Sequence, residues 1–386
     1  MIGLRTSLEL LKRNIPVVLR SPTGPLSSDV CSQGAGGFWM PFHCDDPRTH
    51  RWSIETLDEL HPLAMASAAA AVAGDESPPR LVETVPTVIF MQNHSGPSTE
   101  DMIAEDYHKG TGGTSRLPEW STDPRLQFQH LTVEMLWWQN YYYKLRIPTE
   151  TTLLQQGYKH AWFFQAPIVD SPAMLDHMLQ EVKRHANADV DVETGDYYES
   201  IDHVLETARS LGCNRVLNAT GLGAGALCQD DQMVGARGIL LHYDRKSCVR
   251  TMDIQATEHG EMVNDAVVIA EEGPWGTNEM PSYIIPRGSI LVVGGSYLEG
   301  DAEPTIRPHE EARLLENARH LGIDTTQSHP ISSWTGFRPY RRTSRLEIDT
   351  QHSTDDLRLV HSYGYGGSGW TVYTGCAKDA TDLLLK

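Results

Sequence analysis

The chain has 386 residues, of which 40% are hydrophobic and 22% charged, with a mean hydropathy of −0.37 and a formal net charge of −19 at pH 7. These values indicate a soluble globular protein with one large domain or two interleaved ones, and they exclude a disordered chain. The acidic balance argues against nucleic acid and anionic membranes as partners, because both bind basic surfaces.

The first predicted elements are a helix over residues 3–14, in which Leu4, Leu8 and Leu11 share one face, and a buried strand over residues 15–19. A helix followed by a strand is the second half of a βαβ unit. In a dinucleotide-binding fold a strand and a Gly-x-Gly-x-x-Gly turn come first, and only Gly3 could belong to such a turn here. A shortened gene model and a genuine loss of the first strand would both give this beginning.

The next segments are rich in small residues. Residues 21–28 predict a turn-rich loop, and residues 32–37 form a stretch whose backbone can approach a ligand closely. An alanine-rich helix is predicted over residues 57–73 and an irregular insertion over residues 74–125. The aromatic cluster that follows is predicted to pack in the core or to cover a pocket, and it comprises Trp137, Trp138 and Tyr141 to Tyr143.

Five strands and two helices are predicted beyond residue 160. The predicted strands lie at 161–169, 216–221, 283–286, 290–293 and 357–362, and the predicted helices at 173–185 and 371–385. The strands on either side of Arg287-Gly288-Ser289 form a hairpin. The last strand runs into the glycine-rich segment 364–369.

The six cysteines form no Cys-x-x-Cys pair and stand in no zinc-finger spacing with histidine, so we interpret them as free thiols in a reducing compartment. No apolar window of about 18 residues predicts a transmembrane helix. Lys12 and Arg13 follow the first apolar stretch instead of preceding it, which argues against a signal peptide. The carboxyl-terminal residues are not a peroxisomal Ser-Lys-Leu signal. We expect an intracellular protein.

Two segments have the form of a cofactor site. Residues 218–224 place small side chains at the end of a strand, where the backbone can lie under a dinucleotide, although an ordinary turn explains them equally well. Residues 364–369 could wrap a cofactor ring, and the following helix would place its partial positive charge beside that ring. Ser368 does not fit a serine hydrolase, because position 370 is Trp where Gly-x-Ser-x-Gly requires glycine.

Arg338 is the candidate for binding a substrate. Its guanidinium is flanked by Pro339 and suits bidentate capture of a carboxylate, to which Tyr283 could add a hydroxyl. A surface charge remains the alternative for any single arginine. No metal site is predicted at His43 to Asp46, because adjacent residues seldom point at one ion. We expect the remaining basic residues of this region to be solvated on a strand; they are Arg341, Arg342 and Arg345.

Four stretches, in the same order, resemble the D-amino-acid oxidase and D-aspartate oxidase family. They are Gly-Ala-Gly-Gly-Phe-Trp-Met-Pro-Phe at 34–42, the Asn-Ala-Thr-Gly segment at 218–226, Tyr-Ile-Ile-Pro at 283–286 with Gly-Gly-Ser-Tyr-Leu-Glu-Gly-Asp at 294–301, and Gly-Phe-Arg-Pro at 336–339 with residues 361–371. The likeness is good over residues 1–60 and 157–386 and weak between them.

The resemblance implies FAD as the cofactor and an α/β (α+β) fold. A Rossmann-like FAD-binding domain and a mixed-sheet substrate-binding domain would be interleaved in sequence. The FAD-binding domain would comprise residues 1–60, part of 130–225, and 330–386. The substrate-binding domain would comprise parts of 61–129 and 150–175, together with 230–329.

The same resemblance implies roles for single residues. Arg338 would bind the substrate carboxylate with help from Tyr283. The implied FAD contacts are Gly3, Ser27, Ser28, Gly36, Gly37, Phe38, Thr220, Gly221, Arg338, Gly366, Gly367, Gly369, Trp370 and Thr371.

The implied reaction is hydride transfer from the substrate Cα to the flavin. Hydrolysis of the imino acid then gives a 2-oxo acid and ammonia, and reoxidation by O₂ gives hydrogen peroxide. No protein base is required, because orientation and the flavin supply the chemistry. The expected partners are a small D-amino acid and O₂, without nucleic acid or membrane, and a homodimer stays open. The family's usual compartment is the peroxisome, and the cytoplasm is the alternative.

Some positions depart from the family pattern. Tyr365 stands where animal members usually have His, Ile239 where the family usually has Gln, and Arg20 where a carboxylate typically holds an adenosine ribose. The lid tyrosine of animal enzymes has no clear counterpart, although Glu279 lies near its place. Three alternatives follow: a D-amino-acid oxidase, a D-aspartate oxidase favoured by Tyr340 after Arg-Pro, and a non-catalytic protein that does not retain FAD.

Overall fold

The computed structural model describes residues 1–41, 44–73, 80–92, 117–195, 197–250, 265–270 and 280–386. Its helices are α1 (Ile2–Lys12), α2 (Cys31–Gly34), α3 (Thr49–Val72), α4 (Val133–Tyr143), α5 (Glu150–Gln155), α6 (Ser171–Arg184), α7 (Ile201–Ser210), α8 (Ala224–Leu227), α9 (Pro308–His320) and α10 (Gly369–Leu385). Its strands are β1 (Val17–Ser21), β2 (Val82–Gln92), β3 (Gln129–Thr132), β4 (Tyr158–Val169), β5 (Ala188–Val192), β6 (Arg215–Asn218), β7 (Val234–Asp244), β8 (Val267–Ala270), β9 (Ser282–Arg287), β10 (Ile290–Gly294), β11 (Leu298–Glu299), β12 (Ser332–Ile348) and β13 (Arg358–Tyr365). No helix found in these ranges is long and apolar enough to cross a membrane.

Most strands belong to one large mixed sheet. Its order is β3-β4-β2-β8-β9-β10-β7-β12-β13-β6, and β11 pairs with β7. β13 pairs with β6 in parallel, as β2 does with β8, whereas the other neighbours are antiparallel. β1 and β5 form a separate two-stranded parallel sheet. This confirms the predicted α/β class. Strands from both predicted domains pair in the large sheet, and the domain boundaries stay a prediction.

The elements at the start of the chain are those the apolar pattern predicts. α1 buries Leu4 and Leu11 on the predicted face, and Ile2 is buried as well. Arg5 on the same helix is only 4% exposed, and its Nε donates to a carboxylate oxygen of Glu59 at 2.9 Å. The helix is thus joined to α3 by a charged contact, whereas it packs against α10 and α6, and β1 follows it directly.

The other predicted elements correspond to β4, β6, β9, β10, β13, α6 and α10. α3 begins at Thr49 rather than at residue 57, because Trp52, Thr56, Leu60 and Ala64 continue a buried stripe beyond the alanine-rich part. β7, β12, α7 and α9 are elements that the sequence analysis did not predict.

Part of the predicted irregular insertion is a strand, so the prediction is wrong for residues 82–92. β2 pairs with β4 along its length. Pro86 lies opposite Gln165 of β4, and pairing with β8 begins only at Thr87. At Pro86 the strand therefore has one described neighbour, and a missing N–H on the other side breaks no hydrogen bond of the described sheet. Residues 74–79 and 93–116 of the predicted insertion lie outside the described ranges.

The aromatic cluster forms α4, and two of its members do not pack in the core, which leaves the cover over a pocket as the prediction for them. Trp138 is 66% exposed and Tyr142 is 77% exposed. Tyr143 packs against Phe163 with ring centroids 5.3 Å apart. The side chains of Trp137 and Tyr141 lie outside the described ones.

The basic residues of β12 also differ from expectation. Arg341 donates to Asp230 at 3.1 Å and Arg345 to the Tyr363 hydroxyl at 2.8 Å. Their side chains are 17% and 23% exposed, so neither is simply solvated. Arg342 is exposed, as predicted.

The large sheet separates two apolar layers. On one face α1, α3, α6 and α10 pack with Leu240, Ile285 and Val292. On the other face α4, α5 and α9 pack with Ile284 and Leu291. Successive residues of a strand point to opposite faces, which explains why Ile284 and Ile285 belong to different layers. The layer that contains Ile285 borders the cavity described next.

Candidate active site

A cavity of about 220 Å³ lies between the large sheet, the amino end of α1, the segment after α2 and the start of α10. The predicted site residues that line it are Gly36, Gly37, Phe38, Gly221, Tyr283, Arg338, Gly366, Gly367, Gly369 and Trp370. The predicted residues that do not line it are Gly3, Ser27, Ser28, Thr220 and Thr371. Lining side chains that the sequence analysis missed include Cys31, Leu240, Ile269, Ser296, Tyr297 and Trp334.

One row of residues across five strands forms the cavity floor. The strand register aligns Ile269, Tyr283, Gly294, Leu240 and Trp334 on β8, β9, β10, β7 and β12. Neighbouring strands lie about 4.8 Å apart, so the row extends over about 19 Å. Residues in register share a face of the sheet, and the sheet thereby brings together side chains that are distant in sequence.

Glycines in and beside this floor make room for the polar side chains. The Tyr283 ring lies on Gly294, where a Cβ would overlap it. The Arg338 guanidinium lies over Gly238, where a Cβ would come within 2.5 Å of a guanidinium nitrogen. Both side chains therefore rest directly on the backbone of the sheet.

Arg338 faces the cavity without an acidic partner. Its Nη1 donates to the Ser296 carbonyl oxygen at 2.8 Å, and its Cζ lies 5.3 Å from the centroid of the Tyr297 ring. It forms no ion pair with any carboxylate in the described part of the chain. A guanidinium has five N–H donors, so most of them remain available to a ligand.

Tyr283 lies beside Arg338. Burial raises the pKa of Tyr283, and the charge of Arg338 and a hydrogen bond with it oppose part of that rise. The phenol is therefore protonated at neutral pH and can donate a hydrogen bond. A guanidinium and a phenol that face one cavity fit a carboxylate ligand.

The segment after α2 reaches the cavity through its backbone. The Ala35 carbonyl oxygen accepts from Ser171 Oγ at 2.8 Å and from the Arg287 guanidinium. Gly37 has φ of 72° and lies against the Val169 carbonyl, which leaves no space for a Cβ. Val169 N donates to the Gly37 carbonyl oxygen at 2.8 Å. These contacts fix a side-chain-free edge at the cavity.

The start of α10 is fastened to the same region. Thr371 Oγ1 donates to the Met40 carbonyl oxygen at 2.9 Å and lies 3.2 Å from Met40 N, which donates to it. Trp370 Nε1 donates to the Ser32 carbonyl oxygen at 3.0 Å. The Thr371 hydroxyl is therefore already engaged by backbone, which explains why this predicted contact does not face the cavity.

Behind the cavity, β6 and β13 share a hydrogen-bond chain, which we term the β6–β13 chain. Asp349 Oδ2 accepts from His361 Nε2 at 2.8 Å and lies 2.9 Å from His352 Nδ1. Asn218 Nδ2 lies 3.2 Å from His361 Nδ1, and Asn218 Oδ1 accepts from Thr220 Oγ1 at 2.7 Å. The chain ends directly before Gly221, which lines the cavity.

The protonation of this chain is set by burial and pairing. Burial opposes the charge of Asp349, but hydrogen bonds from His361 and His352 hold its pKa well below the usual range. Burial lowers the pKa of His361, and Asp349 opposes this only in part. His361 is thus neutral at neutral pH. Neither Asp349 nor His361 lines the cavity, so we assign them a scaffolding role.

The structure offers no metal centre in the ranges it describes, where no group of three or more His, Cys, Asp or Glu could hold an ion. His43 lies outside those ranges. Asp46 accepts from Arg48 Nη2 at 2.8 Å and from Ser344 Oγ at 2.7 Å, so its carboxylate has a structural use. The six cysteines are free thiols.

Two aromatic residues that line the cavity, Trp334 and Tyr297, gave only a weak signal in the sequence. Trp334, Gly336 and Arg338 alternate along β12 and share the cavity face. Tyr297 lies within the glycine-rich stretch 294–301, where the glycines drew attention and the aromatic ring did not. Alternation on a long strand could have found Trp334.

Comparison with known proteins gives a consistent result. The family model of DAO, FAD-dependent oxidoreductases, matches residues 117–383. A D-amino-acid oxidase of Rubrobacter xylanophilus is 27% identical over 60% of this chain, and the match spans 61% of that relative's own length. A D-amino-acid oxidase of Streptomyces coelicolor is 29% identical over 99% of this chain and 93% of its own. The structure of glycine oxidase from Bacillus cereus has a TM-score of 0.66 at 14% identity, covering 100% of this chain and 94% of its own, which concerns the fold alone.

Proposed function

Because this chain belongs to the DAO family of FAD-dependent oxidoreductases, we propose that it deaminates D-amino acids oxidatively to 2-oxo acids, ammonia and hydrogen peroxide. The observation that carries this proposal is Arg338. It faces the cavity beside Tyr283, and none of the described carboxylates pairs with it. An amino acid presents the carboxylate that this pair of donors would bind.

The residues around the cavity fit a flavin. Its edges are formed by glycines, among them Gly36, Gly37, Gly367 and Gly369, so a flat ring could lie against backbone. α10 has 17 residues and begins at Gly369, which directs the positive end of its dipole to the cavity. FAD held at these glycines would supply the two-electron oxidation of the substrate Cα–H, with O₂ as the final acceptor.

The chain's own residues would bind and orient the substrate. Arg338 would hold the carboxylate through two N–H donors, and Tyr283 would donate a third hydrogen bond. The described residues that line the cavity include no Asp, Glu or His. We therefore infer that the substrate reacts with its amino group already neutral. We expect kcat/KM to rise with pH until the substrate amine is deprotonated.

We further propose neutral rather than acidic D-amino acids as substrates. Arg338 is the one charged side chain in the described lining, so a second carboxylate would be desolvated without a cation.

The test is the visible spectrum of the purified chain supplied with FAD, before and after anaerobic addition of D-alanine, D-phenylalanine or D-aspartate. We expect a retained oxidised-flavin spectrum that is bleached by a neutral D-amino acid and not by its L-enantiomer. Admission of air should restore the spectrum and produce hydrogen peroxide. Bleaching by D-aspartate alone would replace the proposal with a D-aspartate oxidase, and failure to retain flavin would overturn it.

A further inference from the structure

The Arg338 guanidinium is held by two consecutive residues. Its Nη1 donates to the Ser296 carbonyl oxygen at 2.8 Å, and its Cζ lies over the Tyr297 ring at 5.3 Å from the centroid. A cation within about 6 Å of an aromatic centroid is attracted by the negative face of the ring. The hydrogen bonds to Ser296 and Tyr283 hold the edge of the guanidinium, and the Tyr297 ring adds a contact that favours one orientation of its plane.

Tyr297 is itself fixed in place. It is 5% exposed, and its ring meets Tyr340 edge to face, with centroids 6.0 Å apart and an interplanar angle of 80°. The residue before it is clamped to β7, because Ser296 Oγ donates to the Arg237 carbonyl oxygen at 3.1 Å and accepts from Ile239 N at 3.2 Å. The ring therefore offers a rigid surface.

An aromatic face suits this task better than a carboxylate does. An aspartate or glutamate in the same place would form an ion pair with Arg338 and compete with the substrate carboxylate for its N–H donors. A ring attracts the cation through its face and leaves the in-plane donors free. This agrees with the lack of an ion pair between Arg338 and any described carboxylate.

We propose that Tyr297 is a positioning residue whose ring face orients the Arg338 guanidinium for the substrate carboxylate. The inference rests on the proposed function, because it gives Arg338 the carboxylate to bind. It assigns the effect to the aromatic face of Tyr297. Phenylalanine, which keeps that face, should therefore replace tyrosine, whereas leucine should not.

The experiment compares the FAD-loaded wild type with Tyr297→Phe and Tyr297→Leu. Calorimetric titration with benzoate measures carboxylate affinity without turnover. We expect the benzoate Kd and the KM for a D-amino acid to rise about 5- to 10-fold in Tyr297→Leu, from the usual strength of a partly buried cation–π contact. We expect Tyr297→Phe to stay within about 2-fold of the wild type. The limiting turnover rate should change less than KM, because a bound carboxylate orients Arg338 by itself.

Tyr243→Leu is the matched control. Tyr243 is also buried, at 1% exposure, but it packs in the layer on the opposite face of the sheet. The Tyr243→Leu variant should have a lower melting temperature and an unchanged benzoate Kd. Equal benzoate affinity in the wild type and Tyr297→Leu would overturn the inference, as would equal losses in the Phe and Leu variants. A wild type that retains FAD and binds no benzoate would overturn the proposed function together with it.

Discussion

Two regions of the large sheet use polar residues in opposite ways. On β12, beside the cavity, Arg338 rests on backbone, an aromatic ring and one carbonyl, and no described carboxylate neutralises it. At β6 and β13, behind the cavity, Asp349, His361 and Asn218 satisfy one another through the β6–β13 chain. The first arrangement keeps hydrogen-bonding capacity for a ligand, and the second consumes it within the protein. The contrast separates a binding group from a scaffold.

The largest expected effect comes from the binding group, Arg338. We predict that Arg338→Ala lowers kcat/KM by a factor on the order of 10² to 10³, because removing one partner of a buried charge pair costs about 2–5 kcal/mol. The flavin spectrum should remain. Arg342→Ala is the control, since Arg342 lies on the same strand and is exposed. Steady-state kinetics and absorption spectra check both, and near-normal kcat/KM in Arg338→Ala would remove it from the carboxylate role.

Substitutions in the β6–β13 chain should change the stability of the protein instead. We predict that Asp349→Ala lowers the free energy of unfolding by about 3 kcal/mol, because it leaves buried donors of His361 and the adjacent backbone without an acceptor. Urea unfolding measures this, and Asp355→Ala, at an exposed position nearby, should change it by less than about 0.5 kcal/mol. Carboxylate affinity of the folded fraction should stay normal. A weakened benzoate affinity with unchanged stability in Asp349→Ala would remove the distinction between the β6–β13 chain and Arg338.

A smaller effect should follow from adding a methyl group to the sheet beneath Arg338. In Gly238→Ala the new methyl would lie 2.5 Å from the end of a flexible guanidinium, which can move without unfolding the chain. We predict about a 10-fold rise in the benzoate Kd, since small displacements of a positioning group are costly. Gly235→Ala on the same strand meets only ordinary contacts of 3.6 Å or more and serves as the control. Equal benzoate affinities for Gly238→Ala and Gly235→Ala would show that the distance of the Arg338 guanidinium from the sheet does not affect carboxylate binding.

Local sequence chemistry predicted much of what the cavity contains. The hairpin of β9 and β10 has turn residues at its centre, and the segments at 34–42 and 364–369 are rich in glycine. Such features are set by neighbours in the chain, so a single sequence reveals them. The structure brings Gly36, Phe38, Tyr283 and Arg338 to one cavity.

The cavity floor could not be predicted, because it depends on strand register. Trp334 faces Leu240 only through the pairing of β12 with β7, and Leu240 meets Tyr283 only across Gly294. A shift of one residue would turn every side chain of a strand to the other layer, and nothing local fixes that choice between distant segments. The β6–β13 chain could not be predicted for the same reason, since Asn218 and His361 meet only by tertiary pairing.

The glycines of the floor bear on how this protein could be altered. An alanine scan would rank Gly238, Gly294 and Gly336 as highly sensitive, because a methyl at each would overlap Arg338, Tyr283 or Trp334, although none of the three carries a functional group. Loss of function at these positions would therefore report a lack of space above the glycine, and not a chemical role of the residue. A library aimed at new substrates should therefore keep these positions unchanged and vary Leu240 and Ile269, whose side chains line the cavity.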